Sequence, residues 1–363
     1  MNVRQTLRLD PATCIAIYLT LAAASAISHD YLRDRVGIEL REGTHSTLLA
    51  GQAKAPSQYR MLIPVLGAGL QRLGFSFHAS IVALRFGFTA LCAGLLHLFL
   101  RRWYRDEVCL VGVLVLFSML PLTYIIYQMA FTDPANLAFT IGALILISRR
   151  RDFWLAPLIA ISMLNRETML LIPLVWLLYR WDELPLVRCI AQFSGYCAVA
   201  FAVYFTLRLQ FGPIPHAGAE FFAERGLIPL VHNLTIWRGY LFAAVMFGVP
   251  LTLALRGFST QPKFMQRGLL FCPFFVIFHL FVAVFLEPRL MLPIFPLVLA
   301  PAIASFVTPH SEPDPPNRSI EWLTRSPRFA YLSLLVLFVA VTQAVGYRLT
   351  HGPLPFVSSL LLN

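Results

Sequence analysis

Long apolar stretches alternate with short polar segments along almost the whole chain. A helix needs about 20 mostly apolar residues to cross the hydrocarbon core of a membrane. Nine stretches approach that length, at 12–28, 77–100, 108–128, 134–148, 188–210, 239–255, 268–286, 290–307 and 329–348. The pattern therefore predicts an all-α polytopic membrane protein with about nine spans.

Two further apolar runs of 12 residues each, 153–164 and 168–179, are too short to span. As helices they reach only about 18 Å, against about 30 Å for the hydrocarbon core. Between them lies Asn165-Arg166-Glu167, and arginines flank the pair at Arg149–Arg151 and Arg180. This arrangement predicts a re-entrant pair of short helices that enters and leaves on one side, with the polar triplet at its tip.

The remaining segments connect these helices. We expect an outer loop over 29–60, an interfacial helix over 61–74, and an outer loop over 211–238 that caps the site. The Pro-rich segment 308–328 reads as a cytoplasmic linker. The whole chain is then a single transmembrane domain without a soluble domain.

Composition agrees with a membrane location. The chain has 363 residues, of which 58% are hydrophobic and 13% charged, and its mean hydropathy is +0.70. Soluble domains carry about 25% charged residues. The six cysteines contain no C-x-x-C pair and read as small buried residues.

The net charge of +11 comes from short basic joints between the apolar runs rather than from a nucleic-acid-binding surface. Clusters at Arg101–Arg105, Arg149–Arg151 and Arg256–Arg267 predict the cytoplasmic side by the positive-inside rule. The N-terminus is then cytoplasmic. We expect a bacterial inner-membrane protein whose active site faces the periplasm.

Several acids lie where apolar runs begin or end. Asp30 and Asp34 follow the first run, four residues apart, so they share a face if the helix continues. A carboxylate at the membrane–water boundary can accept a proton from an acceptor hydroxyl, so both are candidate catalytic bases, Asp30 first. The alternative is an ordinary solvated loop. Asp133 precedes Pro134, where it either caps a helix or faces the outer site.

Arginines lie beside acids or amides at the predicted outer ends. Charge at membrane depth is costly, so such residues pair, line water or bind ligands. A guanidinium also recognises phosphate through two parallel hydrogen bonds. The candidate substrate- or phosphate-binding residues are Arg60, Asp133, Asn165, Arg166, Glu167, Glu287 and Arg289. The alternatives are snorkelling for Arg60, a local clamp with Glu167 for Arg166, and a helix anchor for Arg289.

Motifs for metals and nucleotides are missing from the sequence. It contains no H-E-x-x-H, no G-x-x-x-x-G-K-[ST] and no D-x-D. The nine histidines are scattered without ligand spacing. We therefore expect no metal and no cofactor, with a divalent metal left open as an alternative.

Together these features resemble the GT-C superfamily of integral membrane glycosyltransferases. The likeness rests on an acid just past the first helix, on acids and arginines at later outer helix ends, and on a short re-entrant helix pair. The segments that carry it are His29–Asp34, Thr132–Pro134, Leu164–Thr168 and Glu287–Leu290. As topology, the likeness covers most of the chain.

The resemblance implies transfer of a sugar from a polyprenyl-phosphate donor to a glycan, lipid or protein acceptor of the cell envelope, with inversion. It implies that Asp30, or Asp34 in its place, is the general base, and that Arg166 and Arg289 bind the donor phosphate. The chain departs from the family because its first loop has neither two adjacent acids nor E-x-D, and because it lacks a soluble outer domain. The loops would then select the acceptor.

Three other functions compete with this one. A lipid-linked glycan polymerase or ligase uses similar arginines, but its large outer loop lies late in the chain, whereas here the longest, 29–60, is early. A lipid or solute transporter would show inverted repeats with charges in matching halves, which the sequence lacks. The third is a non-catalytic assembly protein. Replacing Asp30 separates these classes, because a base would be lost while folding and lipid binding remain.

Overall fold

The computed structural model of the chain describes residues 10–31, 38–125, 132–212, 214, 229–235, 237–282 and 287–309. Within these ranges the chain forms helices, turns and irregular segments, and no β-strand. The predicted span 329–348, nearly all of 308–328 and most of 211–238 lie outside the described residues.

The helices follow the apolar runs closely. The α-helices are α1 (Pro11–His29), α2 (Ile38–Leu49), α3 (Leu62–Arg72), α4 (Phe77–Leu100), α5 (Asp106–Ile125), α6 (Asp133–Ser148), α7 (Leu155–Met163), α8 (Ile172–Arg180), α9 (Leu186–Phe211), α10 (Pro229–Thr235), α11 (Trp237–Arg256), α12 (Lys263–Val282) and α13 (Phe295–Ala304). The 3₁₀ helices are Ser57–Tyr59, Asp152–Trp154, Glu167–Leu171, Phe258–Thr260 and Pro288–Ile294.

Five helices in the described part of the chain are long and apolar enough to cross a membrane. They are Pro11–His29, Phe77–Leu100, Leu186–Phe211, Gly239–Arg256 and Lys263–Phe281. Three shorter apolar helices cover Asp133–Ser148, Asp152–Met163 and Arg289–Ala304. The chain is thus an all-α membrane protein, and the number of nine spans stays a prediction.

Two contacts show that α1 runs antiparallel to α4. The hydroxyl of Tyr18 lies 2.5 Å from Nδ1 of His97. At the other end of α4, Nε2 of His78 contacts the carboxylate of Asp30, which directly follows α1. The last turn of α1 and the first turn of α4 therefore lie at the same end of the bundle.

Helix α6 runs parallel to α4. The thiol of Cys92 lies 3.2 Å from the carbonyl oxygen of Pro134, and the guanidinium of Arg102 donates to the carbonyl of Ser148. We call the end with the first residues of α4 and α6 the site end, and the end with their last residues the basic end.

Arginine side chains join the helices at the basic end. Arg180 donates to the carbonyl of Ile147 at 2.8 Å, in the last turn of α6. Arg267 donates to the carbonyl of Tyr179 at 2.7 Å, in the last turn of α8. The last carbonyls of a helix lack partners within the helix, so these guanidinium groups satisfy them and offset the negative end of the helix dipole.

The predicted loop 29–60 is not irregular throughout. It contains α2, which buries His45 and Leu48, and the 3₁₀ helix Ser57–Tyr59. Helix α2 has little apolar character, so the hydrophobic pattern did not predict it. The helix predicted over 61–74 corresponds to α3.

The polar triplet 165–167 lies between two short helices, as predicted. Helices α7 and α8 have nine residues each, and every residue of α8 is buried. Helix α7 packs against α6 and α9, and α8 packs against α9 and α12. The tip of this helix pair is therefore enclosed by protein; its re-entry into a membrane stays a prediction.

Candidate functional site

Four chain segments meet at the tip between α7 and α8. They are the segment before α3, the first turn of α6, the tip itself and the segment before α13. Each contributes residues predicted from the sequence, namely Arg60, Asp133, Asn165, Arg166, Glu167, Glu287 and Arg289. We call this group the tip cluster.

Asp133 is the centre of the tip cluster. Its Oδ1 accepts a hydrogen bond from Nη1 of Arg166, and its Oδ2 lies 3.1 Å from Nη1 of Arg289. The side chains of Asp133 and Arg166 are 1% and 2% exposed. Buried charges are tolerated only when they are paired and hydrogen-bonded, so this contact fixes both residues. Helix α6 begins at Asp133 and its N-cap position is Thr132, so the role of helix cap predicted as an alternative for Asp133 is not the one its side chain has.

Arg289 joins Asp133 to a second carboxylate. Its Nη2 and Nε lie 2.6 Å and 2.9 Å from Oε2 of Glu287. The side chains of Arg289 and Glu287 are each 12% exposed, so this pair lies nearer the solvent than Asp133 does. The arrangement holds the Arg289 guanidinium between two carboxylates at the edge of the cluster.

Arg60 and Glu167 form the most accessible pair. Nε of Arg60 lies 3.2 Å from Oε2 of Glu167, and each side chain is 20% exposed. The backbone N–H of Leu62 donates to the carbonyl of Leu164 at 3.0 Å, which attaches the start of α3 to the tip. Asn165 is fully buried, and its Nδ2 donates to the carbonyl of Thr132 at 3.0 Å.

Sequence reasoning missed Arg208 in this region. Its guanidinium carbon lies 3.3 Å from the ring centre of Tyr204 and 4.2 Å from that of Tyr59, and it acts electrostatically on Glu167. The hydroxyl of Tyr59 donates to the carbonyl of Gly212 at 3.0 Å. The available signal was an arginine in the last turn of an apolar helix. Because Arg208 lies at the end of the predicted span 188–210, it was interpreted only as part of that span.

The described residues of this region carry unequal charge. Four cations and three carboxylates leave an excess of one positive charge. The cations are Arg60, Arg166, Arg208 and Arg289, and the carboxylates are Asp133, Glu167 and Glu287. In a largely dehydrated region such an excess favours an anionic ligand.

Several buried polar atoms around the tip have no hydrogen-bond partner among the described residues. They are Oγ1 of Thr132, Oδ1 of Asn165, Nε of Arg166 and Oε1 of Glu167. Buried polar groups in proteins are nearly always hydrogen-bonded. Both donors and acceptors are represented, so the tip suits a polar ligand rather than an apolar one.

Asp30 lies in a different part of the site end. Its side chain is 8% exposed and contacts Nε2 of His78, which is 38% exposed and was not identified from the sequence. His78 precedes Cys92 by 14 residues in one helix, which corresponds to about 21 Å along the axis. Because Cys92 contacts Pro134, Asp30 lies several helical turns outward from Asp133. Asp34 lies outside the described residues.

No group of three or more His, Cys, Asp and Glu side chains in the described part of the chain is placed to hold a metal ion. Comparisons with protein-family models, with curated proteins and with solved structures find no match for the chain. The functional inference therefore rests on the tip cluster.

Proposed function

We propose that the chain is a membrane glycosyltransferase that moves a sugar from a polyprenyl-phosphate-linked donor to a glycan, lipid or protein acceptor. In this proposal the protein lies in a bacterial inner membrane with its site end facing the periplasm. The resemblance of its polar segments to GT-C enzymes motivates the reaction class, and the tip cluster supports it.

The excess positive charge of the tip cluster and Arg208 taken together is the observation that carries the proposal. A sugar joined to a polyprenyl phosphate is a phosphodiester with one negative charge, which balances one excess cation. The apolar cavity lined by Leu144, Val175 and Phe271 beside Thr168 has room for about one water molecule, too little for a prenyl chain, so the charge alone carries the proposal.

The arginines of the tip cluster differ in solvent exposure, and we assign them two different roles on that basis. Arg60 and Arg289 lie at the accessible edge, so they are the proposed phosphate ligands. Arg166 is buried against Asp133, which in turn holds Arg289, so its proposed contribution is to position that guanidinium. Fixed positive groups of this kind stabilise the charge that develops on a leaving phosphate.

The transfer is a single displacement. The acceptor oxygen attacks the anomeric carbon, the bond from that carbon to the phosphate oxygen breaks, and polyprenyl phosphate leaves with the bonding electrons. The acceptor proton passes to a carboxylate, and the configuration inverts.

Two carboxylates are available for the proton. Asp30, paired with His78, is the base that the sequence predicts, but it lies several helical turns outward from Asp133. Oε2 of Glu287 lies 2.6 Å from Nη2 of Arg289. In this proposal a phosphate that binds Arg289 replaces Glu287 as its partner, and the released carboxylate then lies next to the sugar. Asp30 can serve only if the segments between α1 and α4 close over the donor.

Binding tests the phosphate site without knowledge of the sugar. The full-length protein in detergent would be titrated with decaprenyl phosphate and with decaprenol, and complexes counted by native mass spectrometry. We expect the phosphate to bind and the alcohol to bind at least 10-fold more weakly. Arg289→Gln should weaken phosphate binding about 10- to 100-fold, the loss expected for a charged hydrogen bond. Exposed Arg256 at the basic end supplies the control variant Arg256→Gln.

Turnover tests the reaction. Labelled polyprenyl-phosphate hexoses and pentoses would be incubated with bacterial envelope extract, and release of polyprenyl phosphate measured. Loss of turnover with intact donor binding in Asp30→Asn identifies the first base, and the same result in Glu287→Gln identifies the second. Binding of the phosphate without turnover of any donor would refute the proposed enzymatic activity and would instead indicate a lipid carrier.

A further inference from the structure

The turn between α6 and α7 forms an exposed amphipathic surface at the basic end. Arg149 and Arg151 are exposed, and neither has an acidic partner among the described residues. Phe153 and Trp154, directly after them, are 82% and 59% exposed and contact each other edge to face at 5.5 Å. We call Arg149, Arg151, Phe153 and Trp154 the turn patch.

Acids neutralise several other arginines at this end. Arg101 lies 3.1 Å from Asp106, and Arg267 lies 2.5 Å from Asp182. The turn patch therefore keeps positive charge that the described residues around it do not balance.

Apart from their contact with each other, the aromatic rings of the turn patch contact no other ring among the described residues. Leu155 and Ile159, which follow them in α7, are fully buried, so α7 faces the core with one side and places Phe153 and Trp154 outside. Aromatic rings at the ends of membrane helices lie at the headgroup level, with apolar surface towards the acyl chains.

We infer that the turn patch binds an anionic phospholipid, with the headgroup phosphate between the arginines and an acyl chain against the two aromatic rings. Charge complementarity selects an anionic lipid, because a zwitterionic headgroup brings its own cation to the arginines. Exposed aromatic surface selects a lipid rather than a soluble phosphate. This inference does not depend on the proposed reaction.

Fluorescence quenching by brominated lipids tests the inference. The protein would be placed in nanodiscs that contain either brominated phosphatidylglycerol or the same fraction of brominated phosphatidylcholine. The signal of Trp154 is obtained as the difference between the protein and its Trp154→Phe variant. We expect stronger quenching by the anionic lipid, with an enrichment of roughly five-fold for each arginine.

The variant Arg149→Gln/Arg151→Gln should lose this preference. Arg105→Gln/Arg256→Gln is the matched control, because it removes two exposed charges from the same end and should leave the preference intact. Equal quenching by both lipids, or an equal loss of preference in the control, would overturn the site in favour of diffuse attraction. Absence of quenching by either lipid would place Trp154 away from the bilayer and would refute lipid binding. The ligand of the turn patch would then be an acidic protein segment.

Discussion

Replacing Asp133 by Asn removes one negative charge from the centre of the tip cluster with almost no change in shape. The asparagine keeps one oxygen, but its NH₂ group faces a guanidinium that also only donates hydrogen bonds. Arg166, which is 2% exposed, then loses its charged partner. The substitution therefore tests whether the cluster is held together by buried charge.

The expected effect follows from the burial of this pair. Removal of one partner from a buried ion pair destabilises a protein by about 3–5 kcal/mol, because the remaining charge stays uncompensated. That corresponds to a change of roughly 100- to 5000-fold in the unfolding equilibrium. Glu167→Gln breaks a pair that is 20% exposed, so its cost should be nearer 1 kcal/mol.

Reversible unfolding in mixed micelles of dodecyl maltoside and sodium dodecyl sulfate, followed by circular dichroism, gives the free energies. The double variant Asp133→Asn/Arg166→Gln should be more stable than the sum of the two single effects, by about 1–3 kcal/mol, because it leaves no buried unpaired charge. Additive effects, or a loss below about 1 kcal/mol in Asp133→Asn, would refute the reasoning.

Two further predictions concern packing and titration. A Cβ at Gly268 would lie 2.6 Å from the hydroxyl oxygen of Tyr179, so Gly268→Ala should lower the unfolding free energy by about 1–3 kcal/mol. Gly195→Ala, where nothing lies within 4 Å, is the helix control and should be neutral or stabilising by up to about 1 kcal/mol; equal effects at both sites would contradict the packing argument. Burial lowers the pKa of His45 in α2 from its ordinary value of 6.5, so the unfolded chain binds the proton more readily. Stability, measured as the thermal midpoint at several pH values, should therefore fall as pH drops below 6.5. The variant His45→Gln should show a smaller fall. An equal fall in this variant would show that other groups cause the pH dependence.

The sequence identified the charged residues of the tip cluster because charge inside apolar runs is costly and therefore conspicuous. It did not identify their partners. A local clamp between Arg166 and Glu167 was one alternative, yet Arg166 contacts Asp133 and Glu167 contacts Arg60. The backbone at Arg166 is extended, with φ −162° and ψ 137°, and extended backbone turns successive side chains to opposite sides.

Other features were hidden for different physical reasons. Arg208 has a long apolar stem and stacks on tyrosines, so it fits the end of an apolar run without breaking it. Helix α2 is mostly polar, and its position depends on packing against α3. The pattern of apolar residues within α2 therefore does not predict it. Pairings between segments about 100 residues apart, such as Arg60 with Glu167, depend on the tertiary fold.

The predicted depth of the tip cluster in a membrane, in contrast, follows from helix lengths. Helix α4 has 24 residues and reaches about 36 Å, whereas α6 has 16 and reaches about 24 Å. A hydrocarbon core of about 30 Å is covered by the first helix but not by the second, and α7 and α8 are shorter still. These helices start or stop short at the site end, where their free backbone groups need polar partners. If the same runs were long enough to span, that depth would be filled with apolar helix, and the same arginines would be surface anchors.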